Sequence, residues 1–134
     1  MNIETHHQDD ITVIGVRGSL TMECNAGAVR EKLSELADAG CRRVVVDLAE
    51  ITDADSAGLA ELVAGYIDLA AAGGRMTLLR PSPPMQDLLD ITRLSAVLDV
   101  YVDEASAVRS LSAGWFPSWS PTAPAEVRSE FFLG

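Results

Sequence analysis

The segment Val44–Leu62, VVVDLAEITDADSAGLAEL, sets the tightest limit on the fold. Three β-branched valines in succession leave no polar face, so a strand at Val44-Val45-Val46 has to be covered on both sides. Past Ser56 the larger apolar residues fall at Leu59, Leu62, Val63, Tyr66, Ile67 and Leu69, which is helical spacing. A buried strand that hands over at once to a helix belongs in an α/β sheet. Between the two lies an acidic turn holding Asp53, Asp55 and Ser56. A hydroxyl at such a junction is exposed, rigidly held and beside the open N–H groups of a helix start.

The flanking segments supply the rest of that sheet. Residues 2–7 alternate weakly, as an edge strand does, and Asp9-Asp10 predicts a turn into a second strand at Ile11–Val16, completing a hairpin. Gly18-Ser19-Leu20-Thr21 breaks the strand pattern and leads to a helix from about Cys24 to Ala39, with Val29, Leu33, Leu36 and Ala37 as its buried stripe. Thr21 is the candidate N-cap and Gly40 the residue that stops the helix. Arg43–Leu48 is the next strand, and the second helix runs from about Ser56 to Ala72, where Gly73-Gly74 ends it. Met76–Leu79 predicts a short strand, Arg80-Pro81-Ser82-Pro83-Pro84 a loop, and Met85–Ile91 a short helix. Val97–Val102 is a further strand. Asp103 caps a last helix, Glu104–Ser112, buried through Ala105, Val108 and Leu111. The order predicts one α/β domain over residues 1–112, a mixed and mostly parallel sheet of about five strands with about four helices.

Residues 113–134 differ in kind. They hold Pro117, Pro121 and Pro124, and they lack periodicity until about Ala125. Trp115, Phe116, Trp119, Phe131 and Phe132 are five of the chain's seven aromatic residues. A flexible linker would not be so aromatic. Three roles stay open for this aromatic C-terminal extension: a tail folded over its own domain, a docking or homodimer-forming peptide anchored by the aromatics, or disorder.

Charge narrows the partners. Twenty acidic residues against 10 basic ones give a formal net charge of −10. Nucleic acid and anionic membrane surfaces are recognised through Lys and Arg, so neither fits, whereas a basic protein partner does. No apolar stretch approaches a membrane span and no secretory signal opens the chain, which points to the cytoplasm. Cys24 and Cys41 match neither a zinc nor a redox spacing. His6 and His7 are adjacent, hence on opposite faces of a strand, and make a poor chelate. Neither a metal nor a cofactor is implied.

Enzymatic signatures fail as well. Ala54-Asp55-Ser56-Ala57-Gly58 is close to a G-x-S-x-G nucleophile elbow, but Ala54 replaces the first glycine and no histidine follows Ser56. No G-x-x-x-x-G-K-[S/T] phosphate loop is present. What is left is a non-catalytic interaction module.

Asp47-Leu48 closing a strand, followed by Asp55-Ser56-Ala57-Gly58-Leu59 opening a helix, resembles the STAS domain of anti-sigma-factor antagonists. The likeness extends over about residues 3–112 and takes in Gly18, Gly73-Gly74 and Asp103-Glu104-Ala105. It implies that Ser56 is the phosphorylation site. The kinase would be an anti-sigma factor of the histidine-kinase-like ATPase fold, and a serine phosphatase would reverse the step. Unphosphorylated, such an antagonist binds the anti-sigma factor and frees the sigma factor for transcription. The resemblance places Thr21, Asp53, Asp55, Ser56, Ala57, Gly58 and Leu59 at the partner-binding face. This chain departs from it in having Ser19 and Thr21 where many members carry an acid, and Arg93 where a glycine is common. An alternative within the same family is a STAS subunit of a larger stress-signalling or lipid-transport assembly, with the aromatic extension as its docking element.

Overall fold

The valine run lies at the centre of a five-stranded sheet. The computed structural model describes residues 2–8, 10–21, 26–96 and 98–111. Strands β1 (Asn2–Gln8), β2 (Ile11–Leu20), β3 (Arg43–Ala54), β4 (Arg75–Leu79) and β5 (Val100–Tyr101) stand side by side in chain order. Only β1 is antiparallel to its neighbour; the other three pairs are parallel. Helices α1 (Ala26–Asp38), α2 (Ser56–Ala71), α3 (Pro83–Ile91) and α4 (Glu104–Leu111) make the return connections. The α/β architecture read from the sequence is therefore present, while residues 113–134 and Cys24 lie outside the described residues.

Alternation along the strands divides the core in two. Val44, Val46 and Leu48 of β3 join Ile14, Leu33, Leu62 and Leu89 beneath α1, α2 and α3. Val45 points the other way and packs with Ile11, Val13, Leu79, Val108 and Leu111 beneath α4. Each of the three valines is fully buried, as covering on both faces requires.

Helix ends follow local chemistry. At the end of α1 the Cys41 N–H bonds to the Leu36 carbonyl and the Gly40 N–H to the Ala37 carbonyl, with Gly40 at φ +84°. Gly73, Gly74, Ala70 and Leu69 repeat that pattern at the end of α2. Both are Schellman stops, in which a left-handed residue lets the last carbonyls find donors. At α4, Asp103 accepts from the Ser106 N–H and its hydroxyl, bonds that hold its carboxyl below the usual range. Arg93 takes the left-handed position after α3, at φ +61°. An L side chain there costs about 1–2 kcal/mol.

Four boundaries differ from the sequence expectation. β2 does not break at Gly18 but continues to Leu20, and β3 continues through the supposed turn to Ala54. Register shifts near Gly15 and Gly18 let the two strands stay paired over this stretch. β4 leaves β3 at Asp47, so residues beyond it face solvent more and carry polar side chains. That polarity reads as a turn although the backbone is a strand. β5 is shorter than Val97–Val102; Leu98 instead tucks into the core. In α4 the buried residues are Ala107, Val108, Ser110 and Leu111, and Ala105 is exposed. α3 begins at Pro83 rather than Met85, because proline suits the first helical turn.

Two interior polar groups set the stability predictions. Thr77 is fully buried on β4 and its hydroxyl has no hydrogen-bond partner among the described residues. Thr77→Val keeps the shape and removes the desolvated oxygen, so it should stabilise by about 1 kcal/mol in denaturant unfolding; a loss of stability would show that the hydroxyl is satisfied. Burial pushes the Asp99 carboxyl above its ordinary value. Its contribution is therefore greatest below the unfolded pKa and is lost as pH rises through the folded one. Asp99→Asn should melt higher than the parent at neutral pH, with the gap closing below about pH 4. A gap that widens in acid would contradict this.

Candidate functional site

The end of β2, the end of β3 and the start of α2 converge on one corner. Where β4 departs, Asp47 secures the junction: it accepts from the Ala49 N–H at 3.1 Å and from the Arg80 guanidinium at 2.8 Å. The same bond, with the charge of Asp47, raises the pKa of Arg80. Beyond it β2 and β3 run on as a two-stranded ribbon, pairing Ser19 with Asp53 and Leu20 with Ala54.

Each predicted residue now has a place. Asp53 ends the ribbon, exposed, and its carboxylate accepts hydrogen bonds from the hydroxyls of Ser19 and Thr52. Asp55 is the N-cap of α2; its side chain accepts from the Gly58 N–H at 2.8 Å. Its own N–H donates to the Leu20 carbonyl. Ser56 is the first residue of α2 and is exposed, and Ala57 is half-buried behind it. Gly58 packs so closely that a β-carbon would fall 2.0 Å from the Leu20 carbonyl oxygen. Leu59 is 2% exposed and belongs to the core. Thr21 follows Leu20 and is half-buried. The four residues between it and α1 lie outside the described residues, and so does the question of its capping that helix.

Asp55 and Gly58 thus secure the corner, Leu59 anchors it from below, and Asp53 and Ser56 meet solvent. The bond from the Ser19 hydroxyl to Asp53 escaped sequence reasoning because it depends on the ribbon register.

A second feature was also missed. Along the outer side of α2 runs an apolar groove of about 370 Å³. Ser56 stands at its head, Ala60, Ala64 and Ile67 continue it down the helix, and Leu94 faces them after α3. Ile67 is 58% exposed. The signal was present in the sequence: in 16 residues α2 has only Glu61 and Asp68 as charged side chains. A helix with so little polar surface is apolar on more than its core face.

Among the described residues no group of His, Cys, Asp and Glu could hold a metal ion. His6 lies 3.6 Å from Glu104 and His7 3.1 Å from Thr12, on opposite faces of β1. No helix of the described residues is long and apolar enough to cross a membrane.

Close packing at Gly58 leads to a stability test. Gly58→Ala should destabilise by about 2–3 kcal/mol, because the obstacle is backbone and cannot rotate away. Gly27→Ala, an exposed helical position where a β-carbon meets nothing within 4 Å, should be neutral or stabilise by up to about 1 kcal/mol. Asp55→Ala should cost about 1 kcal/mol, and Asp55→Ser much less. Chemical denaturation of the four variants checks all three; equal stability of Gly58→Ala and Gly27→Ala would refute the close approach.

Comparisons with known proteins bear on the family and the fold. The family model of the STAS domain matches residues 2–107. The anti-sigma F factor antagonist of Paenibacillus polymyxa is 26% identical over 112 residues, covering 83% of this chain and 95% of that protein. An anti-sigma factor antagonist from Mycobacterium paratuberculosis superposes with a TM-score of 0.72 at 21% identity, over 82% of this chain and 92% of the other. The Bacillus cell fate determinant SpoIIAA, solved in its phosphorylated form, gives 0.62 at 22% identity, over 81% and 98%. Fold and family model concur, and the chain belongs to the STAS domain family.

Proposed function

We propose that this protein is an anti-sigma-factor antagonist, switched off when an anti-sigma kinase phosphorylates Ser56. One observation carries the proposal: Ser56 is exposed at the first position of α2, while the cap is Asp55 and the tight packing is Gly58. The hydroxyl is therefore not what holds the corner together. Its position suits an acceptor. The name of the Paenibacillus relative and the phosphorylated form of SpoIIAA favour the same reading.

Unmodified, the corner offers a neutral hydroxyl beside an apolar groove, and a partner covering both loses little hydration. Ser56, Ala57, Asp53 and Thr21 form its contact surface, with Gly58 and Leu59 as support beneath. Transfer forms a bond from the Ser56 Oγ to phosphorus and breaks the terminal phosphoanhydride of ATP, releasing ADP. The nucleotide and the base that takes the hydroxyl proton both belong to the kinase. The product carries about −1.5 to −2 charge, next to Asp55 and close to the ribbon end at Asp53. The start of α2 stabilises that charge by roughly 0.3–1 kcal/mol in the free protein. A partner that covers it must strip water from a phosphate and nearby carboxylates, which costs several kcal/mol. Each 1.4 kcal/mol is about tenfold in affinity, so the modified form is released. A serine phosphatase restores binding.

Intact-mass measurement tests the site. With an anti-sigma kinase of the histidine-kinase-like ATPase fold and ATP, the protein should gain one phosphate, and Ser56→Ala should gain none. The substitution should leave stability within about 0.5 kcal/mol of the parent. Undiminished phosphorylation of Ser56→Ala would remove the site assignment.

A further inference from the structure

Strand β1 forms one edge of the sheet, and its outer backbone groups have no partner strand among the described residues. We infer that this edge pairs with the same edge of a second copy, antiparallel about a two-fold axis at Thr5, so that one sheet runs through both copies.

An open strand edge is a template for a further strand, and sheets that stay single blunt it with lysine, proline, a bulge or brevity. β5, at the other edge, is two residues long. β1 has none of these devices: it is seven residues long, contains neither lysine nor proline, and pairs with β2 without a register shift. Glu4 to Gln8 are all exposed, so no helix of the described residues overhangs either face of this stretch.

The sequence of β1 complements itself. Opposed residues of an antiparallel pair share a face of the sheet. Centred on Thr5, the pairing takes in all seven residues, from Asn2 against Gln8 of the second copy to Gln8 against its Asn2. This register opposes Glu4 to the second copy's His6, and His6 to its Glu4, so an imidazole N–H can donate to a carboxylate on each side of the axis. Centring the pair on Glu4 would join only five residues and set two acids face to face. Centring it on His6 would also join five and set two imidazoles face to face. On the other face Ile3, half-buried at the rim of the core, meets the His7 ring of the second copy. Full pairing adds about seven backbone hydrogen bonds, one for each residue. Within one chain, Glu4 and His6 have only wide, exposed partners in Arg17 and Glu104, each at 3.6 Å. β1 also holds just one of the 20 acidic residues, so two chains of net charge −10 meet there with little local repulsion.

The corner at α2 stays open in this dimer. β1 covers β2 only from Ile11 to Arg17, and the corner begins beyond it at Leu20. The two-fold reverses strand direction, so the two Ser56 sites face opposite ends of the shared sheet.

Sedimentation equilibrium of the full chain tests the pairing without reference to the role of Ser56. The parent should reach twice the monomer mass and dissociate on dilution. His6→Glu opposes two acids on each side of the axis and should weaken the dimer about tenfold. Glu4→Lys added to it restores opposite charges and should recover the affinity of the parent. Thr5→Lys lies on the other face from Glu104; it sets two like charges on the axis and should weaken the dimer to a similar degree. It keeps the test decisive if circular dichroism shows that His6→Glu disturbs the fold. Ile67→Glu, in the α2 groove, should leave the mass unchanged. A parent that stays monomeric up to about 1 mM would overturn the inference. So would a dimer indifferent to Thr5→Lys, a double variant that does not recover, or a dimer lost in Ile67→Glu, which would move the interface to the groove.

Discussion

At the corner of β2 and α2, a helix start meets a strand end without a side chain between them. A β-carbon on Gly58 would stand 2.0 Å from the Leu20 carbonyl oxygen. That contact fixes how far α2 descends onto the sheet. It brings the Asp55 N–H to the same carbonyl and aims the Asp55 carboxylate at the Gly58 N–H. Once Asp55 is tied at both ends, the chain has to turn outward at Ser56. The exposure of that hydroxyl is a consequence of the packing beneath it. Gly65 plays a related part lower down, where a β-carbon would meet the Leu33 side chain at 2.4 Å. That obstacle is a rotatable side chain, so the Gly58 contact is the stricter one.

The ribbon made by the ends of β2 and β3 gives the corner its rigidity. Ile51 and Leu20 are buried while Ala49, Glu50, Thr52 and Asp53 are exposed, so this end of β3 does not alternate as its first half does. Ser19, paired with Asp53 in register, donates its hydroxyl to that carboxylate. Asp53 is thus held by backbone pairing and by hydroxyl bonds from Ser19 and Thr52.

Sequence reasoning succeeded where one physical demand dominated. Three valines in a row need cover on both sides, and Gly40 and Gly73 stand where only a left-handed residue ends a helix neatly. Parallel order followed from alternating elements. It failed where two demands compete in the same residues. Glu50, Thr52 and Asp53 are polar because the end of the ribbon is exposed on both faces, and from the sequence that is indistinguishable from a turn; the pairing partner that settles it lies 34 positions away, as Ser19 with Asp53. The burial of Ala107 instead of Ala105 likewise depends on where β4 and β5 set α4 down. At the candidate site the identity of Ser56 was legible from its neighbours, whereas the groove below it needed the placement of Leu94.

α2 therefore serves two surfaces. Its inward residues Leu59, Leu62 and Leu69 are almost wholly buried and account for its attachment. Of its groove residues, Ala60 and Ile67 are exposed and Ala64 is half-buried. An apolar stripe of this kind invites association. Glu61 and Asp68 interrupt its flank by pairing with Arg30 of α1, which neutralises charge on the α1 side and leaves the side toward Leu94 apolar. The stripe is thus bounded on one side by a salt-bridged ridge and headed by Ser56, one residue at the edge of an apolar surface much larger than itself.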